Sequence, residues 1–115
     1  MTYYKQENLK KIPQLVKKSP EAANAYFQFE KTIFENESIL SKKTKELIAI
    51  VVAHVTGCPY CIDVHVKKYR ALGGTMEEVT DAILVAASTS AGAILAHGVN
   101  SLIAFEERDS YLSKH

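Results

Sequence analysis

Hydrophobic positions recur along this chain at helical spacing, in blocks separated by short stretches of capping and turn residues. The first eighteen residues are polar, with a brief apolar rhythm of Leu9, Ile12, Leu15 and Val16 interrupted at Pro13, and read as an arm or short helix. Ser19-Pro20-Glu21 is a helix start, with a hydroxyl at the N-cap, proline at the first helical position and an acid in the first turn. The helix it opens carries Ala22, Ala23, Tyr26, Phe27, Phe29, Ile33 and Phe34 as its apolar positions. Ser41 is placed to cap a second helix through Glu46 to about Thr56, stopped by Gly57. A third runs from Pro59 to about Leu72 and ends at Gly73-Gly74. Thr75-Met76-Glu77-Glu78 is a capping box, in which hydroxyl and carboxylate satisfy each other's orphan N–H groups. It opens a long uncharged helical region with an expected break near Gly92 or Gly98.

The β-branched run at residues 48–55 would also suit a buried strand. A strand followed by Cys58-Pro59-Tyr60-Cys61 and a helix is how a glutaredoxin begins. Thioredoxin-like folds, however, need a later cis-proline loop facing the dithiol, and no proline occurs after Pro59. The chain beyond the dithiol reads as capped helices. The expectation is an all-α fold in one domain, with residues 1–18 as the arm and residues 19–115 as the helical domain.

Residues 82–105 contain no Asp, Glu, Lys or Arg, a length that could span a bilayer. The same stretch holds Ser88, Thr89, Ser90, His97, Asn100 and Ser101, and neither flank carries a Lys/Arg cluster. The transfer cost of those polar groups favours a soluble, buried helix pair over a membrane span. A helix apolar nearly all round needs a surface to cover it, which a helical oligomer provides. The small residues at 86–93 suit close helix packing rather than a cofactor site.

The chain's 115 residues suffice for one modest core, and a formal charge of +1 gives no reason to expect nucleic acid as a partner. Two cysteines three positions apart close too short a loop to staple a fold, so their use is chemical. With no signal peptide in the sequence, the expected compartment is a reducing cytoplasm.

Cys58, Cys61 and His65 stand at i, i+3 and i+7 on one helix face, with Glu46 on the helix before. Pro59 at the first helical position puts the sulfurs in a turn whose free N–H groups favour thiolate. His65 comes one turn after Cys61 and can exchange a proton with it. This outlines a thiol redox site. The helix terminus favours Cys58 as the attacking sulfur, whereas the spacing to His65 favours Cys61. His54, four residues before Cys58 on an apolar run, is either a satisfied core histidine or an extension of the relay. His97 has similar surroundings and a weaker claim. Zinc is the competing chemistry, with Cys58, Cys61, His65 and Glu46 as ligands, although the chain lacks two well-separated ligand pairs. A non-catalytic, redox-sensing helical oligomer is a further alternative.

The spacing of Glu46, Cys58, Cys61 and His65 resembles the alkylhydroperoxidase D-like core of the carboxymuconolactone decarboxylase family. Lys43-Thr44-Lys45-Glu46-Leu47-Ile48, Gly57-Cys58-Pro59-Tyr60-Cys61 and Gly73-Gly74-Thr75-Met76-Glu77-Glu78-Val79 resemble that core in order and spacing, over roughly residues 20–100. The resemblance implies a helical bundle that assembles as a homotrimer or homohexamer. It implies a peroxidase or disulfide reductase that acts on hydroperoxides in antioxidant defence, with a dithiol as electron donor. No bound cofactor is implied beyond a redox-active Cys58–Cys61 disulfide. Cys61 would attack the peroxide, Cys58 would resolve, and Glu46 and His65 would relay the proton. The best-characterised members carry a histidine just before the second cysteine, where this chain has Tyr60, a phenol that can donate a hydrogen bond within the relay but is a poor base. The family's decarboxylase branch lacks the cysteine pair.

Overall fold

The computed structural model describes residues 4–107, and the elements predicted from the capping residues are present as helices. Residues 1–3 of the expected arm and residues 108–115 of the expected helical domain lie outside the described residues. A 3-10 helix, Gln6–Lys11, leads into α1 (Ile12–Val16), then α2 (Pro20–Phe34), α3 (Lys42–Thr56), α4 (Pro59–Ala71) and α5 (Met76–Glu106). No strand occurs among the described residues, so the fold is all-α. The described residues divide into two compact units, with the division inside α5 after Ile83.

The first unit is organised around the α3–α4 hairpin. Ser41 caps α3, its Oγ accepting the Thr44 N–H at 3.1 Å. The β-branched stretch of α3 is helical because its buried positions, Glu46, Ile50 and Ala53, recur at helical and not strand spacing. Gly57 ends α3 in the left-handed region at φ 72°, and the Cys58 N–H returns to the Ala53 carbonyl at 2.9 Å. That sharp turn starts α4 two residues later, with Cys58 as N-cap and Pro59 in the first turn. The core is small. Ile50 from α3, Tyr69 from α4 and Val79 from α5 form its centre, flanked by Leu47, Val66 and Ile83. Burial of each such aliphatic side chain contributes about 1.5–3 kcal/mol.

Beyond α4, Gly73 takes φ 88° and Gly74 passes so close to the Tyr69 ring that any side chain at 74 would collide with it. The capping box then forms as expected. The Thr75 N–H and hydroxyl both donate to Glu78 Oε1 at 3.0 Å, and the Glu78 N–H donates to Thr75 Oγ1 at 3.2 Å. Tyr69 Oη also donates to Glu78 Oε2, at 3.0 Å, and Lys43 Nζ lies 3.3 Å from the same oxygen. These donors, the Thr75 hydroxyl foremost, hold the Glu78 carboxyl down at about 2. A depressed carboxyl stabilises the fold above its ordinary value of 4.5 and loses that contribution as pH falls towards 2. The thermal midpoint of wild type should therefore exceed that of Glu78→Gln at neutral pH, and the gap should close across this acid window. A pH-independent gap between the two melting curves would contradict the assignment.

Two expectations need correction. The break near Gly92 or Gly98 is absent, since α5 runs unbroken from Met76 to Glu106. A helical glycine costs only about 1 kcal/mol, and its alanine, leucine and isoleucine neighbours favour the helix. Residues 82–105 accordingly lie in one helix and not in a helix pair, and in the single chain that stretch is largely uncovered. Leu84, Val85, Ile94, Leu95, Val99, Leu102, Ile103 and Phe105 are all exposed. By length and composition alone, α5 is apolar enough to cross a membrane. The amino-terminal segment takes the short-helix alternative, as the 3-10 helix and α1, and it contacts α4. Lys67 Nζ donates to Gln6 Oε1 at 3.0 Å, and the Tyr4 ring lies 5.5 Å from that of Tyr60.

Candidate functional site

Glu46 and His65, nineteen residues apart, are brought together by the α3–α4 hairpin. His65 Nδ1 lies 2.6 Å from Glu46 Oε2. Glu46 is only 5 % exposed, so it is a buried carboxylate and not a solvated surface acid. A carboxylate can only accept, so Nδ1 is the donor of this contact, and a neutral imidazole held this way has its lone pair on Nε2. The face of the imidazole is covered as well. The Phe34 ring stacks on His65 with centroids 5.4 Å apart and planes 28° from parallel.

The two cysteines form a disulfide, with Cα atoms 5.3 Å apart. Cys58 occupies the N-cap and Cys61 the first turn of α4, and the Cys61 N–H donates to Cys58 Sγ at 3.3 Å. The helix terminus thus serves Cys58, as the positional argument anticipated. Cys61 is distinguished by another feature. It and His65 line an open cavity of about 480 Å³, and Cys58 is not part of that lining. The rest of the wall is mainly apolar, with Ile33 and Phe34 from α2, Leu40 from the connection, and Ile48 and Val52 from α3.

The remaining candidates are not part of the cavity lining. His54 donates from Nδ1 to the Ile50 carbonyl of its own helix at 2.8 Å, the arrangement of a satisfied histidine, and does not line the cavity. Tyr60 turns to Tyr4 and is likewise outside the lining. His97 is exposed on α5 in the second unit. No group of three or more His, Cys, Asp and Glu side chains able to hold a metal converges among the described residues. In this oxidised form both sulfurs of the zinc alternative are bonded to each other.

Two residues that matter here went unread in the sequence as parts of a site. Phe34 counted only as one apolar position of its helix, and Lys45 only as part of a resembling stretch. Lys45 Nζ reaches back to α2, donating to the carbonyls of Ile33 and Asn36, each at 2.7 Å. Nothing in local sequence announces a contact across the α2–α3 connection.

Fold and site together define an all-helical dithiol domain with a carboxylate–imidazole pair beside the disulfide. The chain belongs to the carboxymuconolactone decarboxylase family, whose sequence profile matches residues 20–103. That family includes enzymes, some of them alkylhydroperoxidase-like. The chain is similar to "Uncharacterized protein 4 in cox locus" of Paracoccus denitrificans, with 45 % identity over 86 residues, covering 75 % of this chain and 77 % of that protein. It is also similar to "Uncharacterized protein YdfG" of Bacillus subtilis (strain 168), at 33 % identity over 61 residues, 53 % of this chain and 40 % of the relative.

Proposed function

We propose that this protein is a dithiol peroxidase that reduces apolar organic hydroperoxides, with Cys61 as the attacking sulfur and Cys58 as the resolving one. The observation that carries the reading is the shared cavity: Cys61 and His65 line it together, and Glu46 holds the far side of the imidazole. His65 Nε2 takes the Cys61 proton, and buried Glu46 stabilises the imidazolium that results. The thiolate attacks one peroxide oxygen, the O–O bond breaks, and the departing alkoxide takes the proton from His65. Cys61 is left as a sulfenic acid. Cys58 Sγ then attacks Cys61 Sγ, the S–S bond forms, and hydroxide leaves as water with the proton that Cys58 gave up. The Cys61 N–H aimed at Cys58 Sγ favours the thiolate that this step needs. An external dithiol returns both cysteines to thiols and becomes a disulfide itself.

The apolar wall supports an alkyl or aryl substrate over hydrogen peroxide, since burying a hydrocarbon group gains about 25 cal/mol per Å² that hydrogen peroxide cannot supply. Lys45 lines the same cavity, but its ammonium is taken up by two carbonyls, so an anionic substrate finds no unengaged cation among the described lining residues. A cycling dithiol fits a reducing cytoplasm. The exposed apolar side chains of α2 and α5 fit a homotrimer or homohexamer that covers them. Mass analysis of reduced protein after one equivalent of cumene hydroperoxide tests the chemistry. The expected product has lost two hydrogens, carries an intrachain Cys58–Cys61 bond and reverts with a dithiol. A protein that stays fully reduced would end this reading.

A further inference from the structure

We propose that Lys45 is a positioning residue for His65, acting through Phe34, an inference that rests on the proton-transfer role proposed for His65. Helix α2 has no buried residue along its length. Such a helix, with few buried contacts, lies at the low-stability end of a fold and needs an anchor. Its last residue, Phe34, is the one stacked on the imidazole. The carbonyls that bracket Phe34, those of Ile33 and Asn36, both accept from Lys45 Nζ at 2.7 Å. A cation at the carboxyl end of a helix meets the negative end of its dipole, and hydrogen bonds from an ammonium are the strong kind. Lys45 thus ties down the turn that presents Phe34.

Its neighbour in sequence, Glu46, holds the same imidazole by its edge. One hydrogen bond leaves a ring free to pivot about that bond, and a stacked aromatic face removes the pivot. Glu46 sets which nitrogen carries the proton, and Phe34 sets the plane in which Nε2 lies. Adjacent residues of α3 therefore control His65 by two routes, one direct and one through α2.

Diethyl pyrocarbonate is the probe, used on the oxidised protein so that no thiol competes, with the exposed His97 as internal reference. In Lys45→Met, which keeps the aliphatic stem, carbethoxylation of His65 relative to His97 should rise roughly tenfold as the turn opens. Lys45→Arg, which retains donors for both carbonyls, should restore the slow rate. Phe34→Leu should expose His65 as Lys45→Met does, and it decides the matter should Lys45→Met fail to fold. With tert-butyl hydroperoxide and dithiothreitol, Lys45→Met should lower kcat roughly 10- to 100-fold with little change in KM, the pattern of a misplaced acid–base group. Unchanged His65 reactivity in Lys45→Met and Phe34→Leu, or a Lys45→Arg protein as reactive as Lys45→Met, would overturn the proposal. A raised KM with kcat intact would overturn it too, making Lys45 a substrate contact. Should wild type consume no peroxide, the proposed activity falls, and the carbethoxylation rates alone decide whether Lys45 positions His65.

Discussion

Cys61→Ser protein will consume no hydroperoxide, whereas Cys58→Ser will turn over once and stall. The asymmetry comes from placement. Cys61 shares the apolar cavity with His65, and Cys58 stands outside it at the helix cap. Without Cys61 no sulfur in the cavity can attack. Without Cys58 the sulfenic acid on Cys61 has no neighbour to condense with, and it persists or oxidises further to sulfinic acid. Dimedone labelling and peptide mass analysis read this directly, with the adduct expected on Cys61 of the Cys58→Ser protein. An adduct on Cys58 of an active Cys61→Ser protein would exchange the two roles.

The second large effect belongs to the acid–base pair. His65→Ala should slow the reaction by roughly 10²–10⁴-fold, the usual worth of a positioned proton-transfer group. Glu46→Gln keeps the shape and a hydrogen-bonding side chain, but it removes the charge that stabilises imidazolium. Because both residues act through one proton, the double variant should lose little more than the worse single one, where independent groups would multiply. Stopped-flow measurement of disulfide formation isolates the step from the reductant. Full rates in both single variants would take the pair out of the mechanism.

Most of the fold was legible because its punctuation is local. Ser41, Gly57, Pro59, Gly73 and the Thr75–Glu78 box each act within a turn of where they stand, and each boundary falls within a residue or so of them. The pairing of Glu46 with His65 was legible only through resemblance, because two helices must be folded against each other before those residues meet. Phe34 and Lys45 lay further out of reach, since their contacts cross the α2–α3 connection and leave no periodic trace. The unbroken course of α5 is not legible at Gly92 and Gly98 alone, because the small local cost of a helical glycine is outweighed by the neighbours that carry the helix through.

The hydrogen bond between Glu46 and His65 has a meaning beyond chemistry, because its two ends ride on different helices joined by a single tight turn. Hydrophobic burial fades gradually as surfaces part, but a 2.6 Å hydrogen bond is lost within a fraction of an ångström. The pair therefore works as a gauge of the α3–α4 spacing that Ile50, Tyr69 and their neighbours set. Loosening that packing would part the pair while the helices still stand, so the proposed thiol chemistry should respond to a disturbed core that leaves the helices in place.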